Sequence, residues 1–510
     1  MSRPRPVSPA AGRSRIFAWA LWDCGSTGLN AIVVTFVFSV YLTGTVGQDI
    51  AGGASPASLL GRALTVAGIA VACLAPLTGV LVQAPHRRRI ALVALTGLAA
   101  VFTAAMSLIR DDPRYLIPGL ALLAITAACS DLASVPYNAM LRQLSTPRTS
   151  GWISGLGWAA GYSGSVVLLL LVYLGFIRGE GPNRGLLGLP VEDGQNVRAA
   201  MILAAVWLIV FGLPLMLTAH TFAGSEEQAE APASILGGYR RLWSDLRSEW
   251  RRDRNLVYYL LVSAVFRDGL SGVFAFGAVL GVSVYGISPA DVLIFGVIAS
   301  TVAAIGAVVG GRLDDSIGAK PVIVASLSAM IVVGMALLSL SGPIAFWVCG
   351  LLLCLFVGPT QSAARTLLLR MTGEGKEGIA FGLYTTTGRA VAFLAPWLFF
   401  VFVDLFNADR AGLAGICLVL AAGLVGMLMV RVPDHIRADQ RSAAPVQMVS
   451  PRPLRCRTWE PLTETLHVTS RPTLTTATLA ELLAGADRLT SLLHGSATLN
   501  SVCITPPVST

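Results

Sequence analysis

Apolar runs long enough to cross a lipid bilayer recur along this chain, separated by short polar breaks. A helix needs about 20 predominantly apolar residues to span a hydrocarbon core roughly 30 Å thick. Runs of that kind are predicted at 17–43, 57–83, 90–109, 115–139, 152–177, 199–220, 256–284, 291–310, 321–340, 344–368, 378–403 and 411–430. The pattern predicts an all-α polytopic membrane protein with an arm at 1–16 and two six-helix bundles at 17–220 and 255–431. A linker at 221–254 separates the bundles, and its amphipathic basic stretch at 239–252 reads as a surface-lying helix. Residues 432–510 are rich in Thr, Ser, Pro and Arg, contain no spanning run, and are expected to form a disordered tail. The first run follows an Arg-rich start like a signal peptide, but its length and Asp23 identify a retained span.

Composition supports lipid as the main solvent. The 510 residues are 54% hydrophobic and 13% charged, where a soluble domain carries about a quarter charged residues to wet its surface. The formal net charge of +9 sits between the apolar runs and shows no basic face with interleaved aromatics, so no nucleic-acid partner is expected. Arg3, Arg5, Arg13, Arg15, Arg87, Arg88, Arg89, Arg142, Arg148 and the arginines of 240–254 fall on one side of the alternating loops. The positive-inside rule then places both termini in the cytoplasm, with a bacterial plasma membrane as the expected location. The cysteines form no CxxC pair and no Cys/His cluster, which argues against a metal site or disulfide framework. Gly373-Glu-Gly375-Lys376 lacks the upstream Gly and the Ser/Thr of a phosphate loop, and no HExxH occurs. Neither an enzyme nor a cofactor is expected.

The two halves echo each other. Gly311-Arg-Leu-Asp-Asp315-Ser-Ile-Gly318-Ala-Lys320, placed in the loop after the eighth run, has the form GxxxDxxGxK. Its counterpart after the second run keeps Gly79 and the basic pair Arg87 and Arg88, but carries Gln83 where the pattern has Asp. Pro136-Tyr-Asn138-Ala-Met-Leu-Arg142 answers Pro359-Thr-Gln361-Ser-Ala-Ala-Arg365, both P-x-amide-x-x-x-R near the end of a fourth span. Ser154-Gly155-Leu156 with Gly161 answers Phe381-Gly382-Leu383 with Gly388. Internal repeats in corresponding positions of two halves are a signature of transporter folds.

The GxxxDxxGxK pattern resembles the loop signature of the major facilitator superfamily. A finer set of motifs resembles the autophagy-related vacuole effluxer family and its bacterial relatives across 17–431. It comprises Trp19, Trp22-Asp23, Ser26, Tyr137-Asn138, Ser154-Gly155-Leu156-Gly157-Trp158, Gly358-Pro359-Thr-Gln361 and Phe381-Gly382-Leu383-Tyr384. Arg142 departs from that resemblance, since relatives tend to carry Pro there. The resemblance implies the major facilitator fold, a cavity lined by spans 1, 4, 7 and 10, and, from fungal members, amino-acid export from the vacuole. It also implies that Asp315 keeps a conformational charge lock in the second half, while Gln83 removes the carboxylate of the first.

Ionisable residues inside spans cost about 2.5–3.5 kcal/mol at the helix centre and face a cavity or a partner. Asp23, Ser26, Thr27 and Asn30 form one stripe, and Asp131, Ser134, Asn138 and Arg142 another. Arg267, Asp268, Gln361, Arg365, Thr385 and Arg389 extend the set. Asp23, Asn30, Asp131, Asn138, Arg267, Asp268, Gln361, Arg365 and Arg389 are the cavity candidates; the same residues can instead bridge helices or snorkel. The small-residue run Gly155–Gly164 reads as close helix packing. No His or Glu falls within the predicted spans, so proton coupling would fall to Asp23, Asp131 or Asp268. The expected function is alternating-access secondary transport of a small polar solute by a monomer, with amino-acid efflux as its specific form. Drug or amphiphile efflux, or a non-transporting receptor or scaffold, are the alternatives.

Overall fold

The computed structural model describes residues 12–48, 55–179, 181–218 and 254–432, with Arg240, Ser244 and Arg247 as isolated positions. The expected tail, the linker apart from those positions and Arg254, and most of the N-terminal arm lie outside the described residues. Twelve helices among the described residues are long and apolar enough to cross a membrane. They are α1 (Arg13–Val46), α2 (Pro56–Leu81), α3 (His86–Leu108), α4 (Pro113–Leu144), α5 (Ser150–Ile177) and α6 (Glu192–Thr218). The second half contributes α7 (Arg254–Ser283), α8 (Pro289–Ile317), α9 (Ala319–Ser339), α10 (Pro343–Met371), α11 (Glu377–Phe406) and α12 (Ala411–Met429).

Local chemistry sets several boundaries. Ser55 and Ser288 accept from the backbone of α2 and α8, each with Pro in the first helical turn, where a missing N–H costs nothing. The spans run longer than the apolar runs, because helical hydrogen bonding continues into polar residues once the first turns are anchored. The GxxxDxxGxK segment is accordingly not a loop: α8 stays helical through Ile317, and the chain turns only at Gly318, whose φ of 96° suits glycine. A second departure lies inside α11, which breaks at Ala392 and Phe393 into Glu377–Val391 and Leu394–Phe406. Pro396 causes it: a proline ring clashes with the carbonyl four residues back, here that of Ala392. Gly157, Gly161 and Gly164 let α5 pack closely on Trp19, Thr27 and Cys24 of α1.

In the first half α1 packs on α5 and α6, and α4 on α2 and α3; in the second, α10 packs on α8 and α9, and α12 on α7 and α9. The halves meet through α5 against α8 and α2 against α11. Large apolar side chains such as Val66, Val101, Ile117 and Ile344 point outward, as they must where lipid is the solvent.

Candidate functional site

One face of the molecule, where α1 begins and α12 ends, is sealed. Glycines permit it. A Cβ at Gly79 of α2 would stand 2.5 Å from the Gly378 carbonyl oxygen of α11, and one at Gly151 of α5 would stand 2.5 Å from the Gly311 carbonyl oxygen of α8. The two glycines of the internal repeat, Gly79 and Gly311, thus occupy equivalent crossings. Beyond the seal the helices part: a Cβ at Gly68 or Gly61 of α2 would meet open space.

Charged contacts tie both crossings together. Asp315 accepts from the backbone N–H groups of Gly151 and Trp152, each at 2.7 Å. These groups open the first turn of α5, where unsatisfied N–H groups and the helix dipole favour an anion. Arg370 of α10 pairs with Asp314 and, at 3.3 Å, with Asp315, and donates to Ser150 Oγ. Thr366 completes the enclosure by donating to Asp314.

Gln83 puts a charge contact at the first-half crossing in doubt, but one is present. Glu377, the first residue of α11, supplies the carboxylate from the other side of the crossing. It pairs with Arg88 at 3.0 Å and Arg142 at 2.6 Å and accepts from the Gly375 N–H at 3.1 Å. Arg88 and Glu377 are each 4% exposed. Arg142 therefore does not join the cavity stripe of α4; it crosses to the second half and donates to the carbonyls of Leu369 and Thr372, each at 2.5 Å. Among the remaining motif residues, Lys320 donates to the Leu428 and Val430 carbonyls, tying α9 to α12, and Arg87 lies half-buried at the start of α3.

Inside the seal lies a cavity of about 790 Å³ between the halves. All nine candidates, Asp23, Asn30, Asp131, Asn138, Arg267, Asp268, Gln361, Arg365 and Arg389, line it. At its floor Arg365 of α10 reaches into the first half. Its guanidinium donates to Ser154 Oγ at 2.9 Å, the Ser154 carbonyl at 2.7 Å and Asn138 Oδ1 at 3.1 Å, and lies 3.7 Å from Asp23 Oδ2. It also sits over the rings of Trp19 and Trp158, at 4.9 and 5.6 Å. The repeated arginines Arg142 and Arg365 thus make reciprocal crossings, each anchored in the half it does not belong to.

Asp23 is positioned from several sides. Tyr137 donates its hydroxyl to Asp23 Oδ2 at 3.1 Å, and the Tyr137 ring is stacked between Trp19 and Trp22, with centroids 4.5 and 4.3 Å away. Asn30 donates to Ser130 Oγ at 3.0 Å and fastens α1 to α4. On the far wall Arg389 forms an ion pair with Asp131 across the two halves. Arg267 donates to the Tyr384 carbonyl at 3.0 Å and lies 3.6 Å from the centre of that ring. Asp268 accepts from the Ala395 N–H at the α11 break. Among the described residues the buried Gln361 Oε1 finds no hydrogen-bond partner. Three carboxylates and three guanidiniums line one cavity, so it balances in charge, with Asp131 paired to Arg389 and Asp23 lying 3.7 Å from Arg365.

Single-residue reasoning missed Tyr137, Ser154, Trp158 and Tyr384 as site components. The signal was present, since each sits in a motif that carried the family resemblance, but aromatic and hydroxyl residues are cheap to bury and gave no energetic alarm.

A family model described as "Vacuole effluxer Atg22 like" matches residues 145–440, more than half of the chain. An uncharacterized MFS-type transporter, YxiO of Bacillus subtilis (strain 168), is 19% identical over 422 residues, covering 83% of this chain and 95% of that protein. Autophagy-related protein 22 of Yarrowia lipolytica (strain CLIB 122 / E 150) is 22% identical over 286 residues, 50% of this chain and 46% of that protein. Among solved structures, the major facilitator proton:xylose symporter XylE bound to 6-bromo-6-deoxy-D-glucose superimposes with a TM-score of 0.63 at 13% identity. That match covers 84% of this chain and 98% of XylE.

Proposed function

We propose that this chain, which belongs to the Atg22-like vacuole effluxer family and has the major facilitator fold, is a secondary active transporter exporting small zwitterionic solutes of the amino-acid class. The carrying observation is the charge-balanced cavity between the halves, closed at one end by paired helix crossings. A zwitterion can enter between paired opposite charges, its carboxylate facing the cation and its ammonium the anion. Asp23 with Tyr137, and Arg365 with its Ser154 anchor, provide both signs at the floor, while Asp131 and Arg389 repeat the arrangement on the wall. Fixed charges of this kind disfavour an uncharged amphiphile, which would have to leave them desolvated. The positive-inside bias puts the sealed face in the cytoplasm of a bacterial cell, so this conformer presents its cavity outward. Alternating access follows by rocking the halves about the midplane site, with a monomer as the working unit and the proton as coupling ion.

A stability screen on detergent-purified protein tests the reading, since ligands of the folded state raise apparent stability by mass action. Amino acids should raise the melting temperature in wild type and not in Arg365→Lys, which keeps the charge but not the forked contacts. Stabilisation by lipophilic cations alone, with amino acids inert, would rule the proposal out.

A further inference from the structure

The cavity holds three carboxylates, and their environments differ in one decisive respect. Asp23 lies beside Arg365 and under the Tyr137 hydroxyl, and Asp131 is paired with Arg389. Among the described residues Asp268 has no cation partner, and it accepts from the Ala395 N–H. Its neighbour Arg267 turns away to the Tyr384 carbonyl and ring. The cavity-lining cation of α10, Arg365, is committed to Ser154 and Asn138, and that of α11, Arg389, to Asp131; α12 presents Val419 and Leu420 next to Gly269. Asp268 is 7% exposed.

What Asp268 does hold is the broken helix. Pro396 prevents α11 from continuing, so the Ala395 N–H loses its usual carbonyl and donates to Asp268 Oδ2 at 2.5 Å. A carboxylate at this place caps the second segment, Leu394–Phe406, with a charge its N-terminal dipole favours. The first segment, Glu377–Val391, carries Arg389 to the cavity wall and Glu377 to the seal. The break at Ala392 and Phe393 is therefore the joint between the uncompensated carboxylate and the closed gate.

We infer that Asp268 is the proton-binding site of the transport cycle and that its charge sets the angle at the α11 break. A hydronium ion in the cavity gives a proton to Asp268 Oδ1, its own O–H bond breaking to leave water, and the charge of the carboxyl goes from −1 to zero. The neutral acid still accepts from Ala395 but no longer offers a full charge to the helix end. The two α11 segments then lose the interaction that fixes their relative direction, and the seal at Glu377 is released. Its place in a cycle rests on the transport reading above; the protonation and the movement do not.

Difference infrared spectroscopy of the full-length protein in liposomes, between pH 8 and pH 5, tests it. The expected result is a protonated-carboxyl band that disappears in Asp268→Asn and survives in Asp23→Asn and Asp131→Asn. Asparagine keeps an acceptor for the Ala395 N–H, so the variant should fold, checked by an unchanged melting temperature. In parallel, spin labels at His86 and Glu374, on the sealed face, should change separation with pH in wild type and not in Asp268→Asn. A band that persists in Asp268→Asn overturns the assignment. So does a label movement driven by sodium at constant pH, which would make Asp268 a metal-cation site instead. Neither outcome touches the amino-acid stabilisation that tests the proposed function.

Discussion

Glu377 is the most informative residue to remove. It seals the crossing of α2 and α11 by pairing with Arg88, each side chain 4% exposed, and with Arg142, which is 30% exposed. Replacing Glu377 by Gln leaves the Arg88 guanidinium buried without its counter-charge, a change worth about 3–5 kcal/mol for a buried pair. Arg88 retains the Val82 carbonyl at 2.7 Å and longer contacts to those of Gln83 and Ala139, so the lower end, about 3 kcal/mol, is appropriate. Both partners lie on opposite halves, and the penalty falls on the sealed conformer alone once the halves separate. At about 1.4 kcal/mol per tenfold, the sealed population should drop by roughly two orders of magnitude relative to the open one. Pulsed electron spin resonance between labels at His86 and Glu374, in a background without native cysteines, reads this directly. The distribution should move to longer distances in Glu377→Gln, and less in Arg142→Lys, which keeps a cation beside Glu377 in a partly solvated pair worth about 1 kcal/mol or less. If Glu377→Gln lowers the melting temperature but leaves the distances unchanged, the pair is a folding contact and the gating argument is wrong.

Further outcomes follow from the same contacts. Gly151→Val should block sealing, because its Cβ would come within 2.8 Å of Asp315 Oδ1 as well as meeting Gly311; labelling of a cysteine at the crossing should then rise several-fold. Asp315→Ala removes two charge-assisted bonds to the start of α5 and should cost the sealed state about 2–3 kcal/mol, measured by the same distances. Asp131→Arg or Arg389→Asp alone should abolish uptake into proteoliposomes, while the double exchange restores a measurable part of it; no restoration would mean that the pair contacts substrate rather than its partner. Arg365→Lys should lower initial transport rates by at least about tenfold, since an ammonium cannot hold Ser154 and Asn138 in the same plane.

How far the site could be read from residues alone varies with the kind of contact. The nine cavity positions were legible because polar groups in an apolar span announce themselves. Arg142 was legible as an anomaly and not as a contact between the halves, because its partner Glu377 stands one position outside a predicted span. The α11 break carried a plain local sign in Pro396, yet the run 378–403 is apolar throughout, and hydropathy does not distinguish a straight helix from a divided one. Gln83 misled in the opposite direction: a carboxylate absent from one strand of the motif is replaced from across the crossing.

The amino-acid sequence by itself determined that lipid surrounds this chain, that it crosses about twelve times, and which side chains must be kept from the hydrocarbon. Those follow from transfer free energies, which each residue carries wherever it lies. Tertiary structure alone decided which charge meets which: Arg365 with Asn138, 227 positions away, Glu377 with Arg88, 289 away, and Asp268 with a backbone amide 127 away. Such pairings depend on the rotation and depth of each helix against its neighbours, and these are fixed by glycine crossings and side-chain packing summed over the whole bundle.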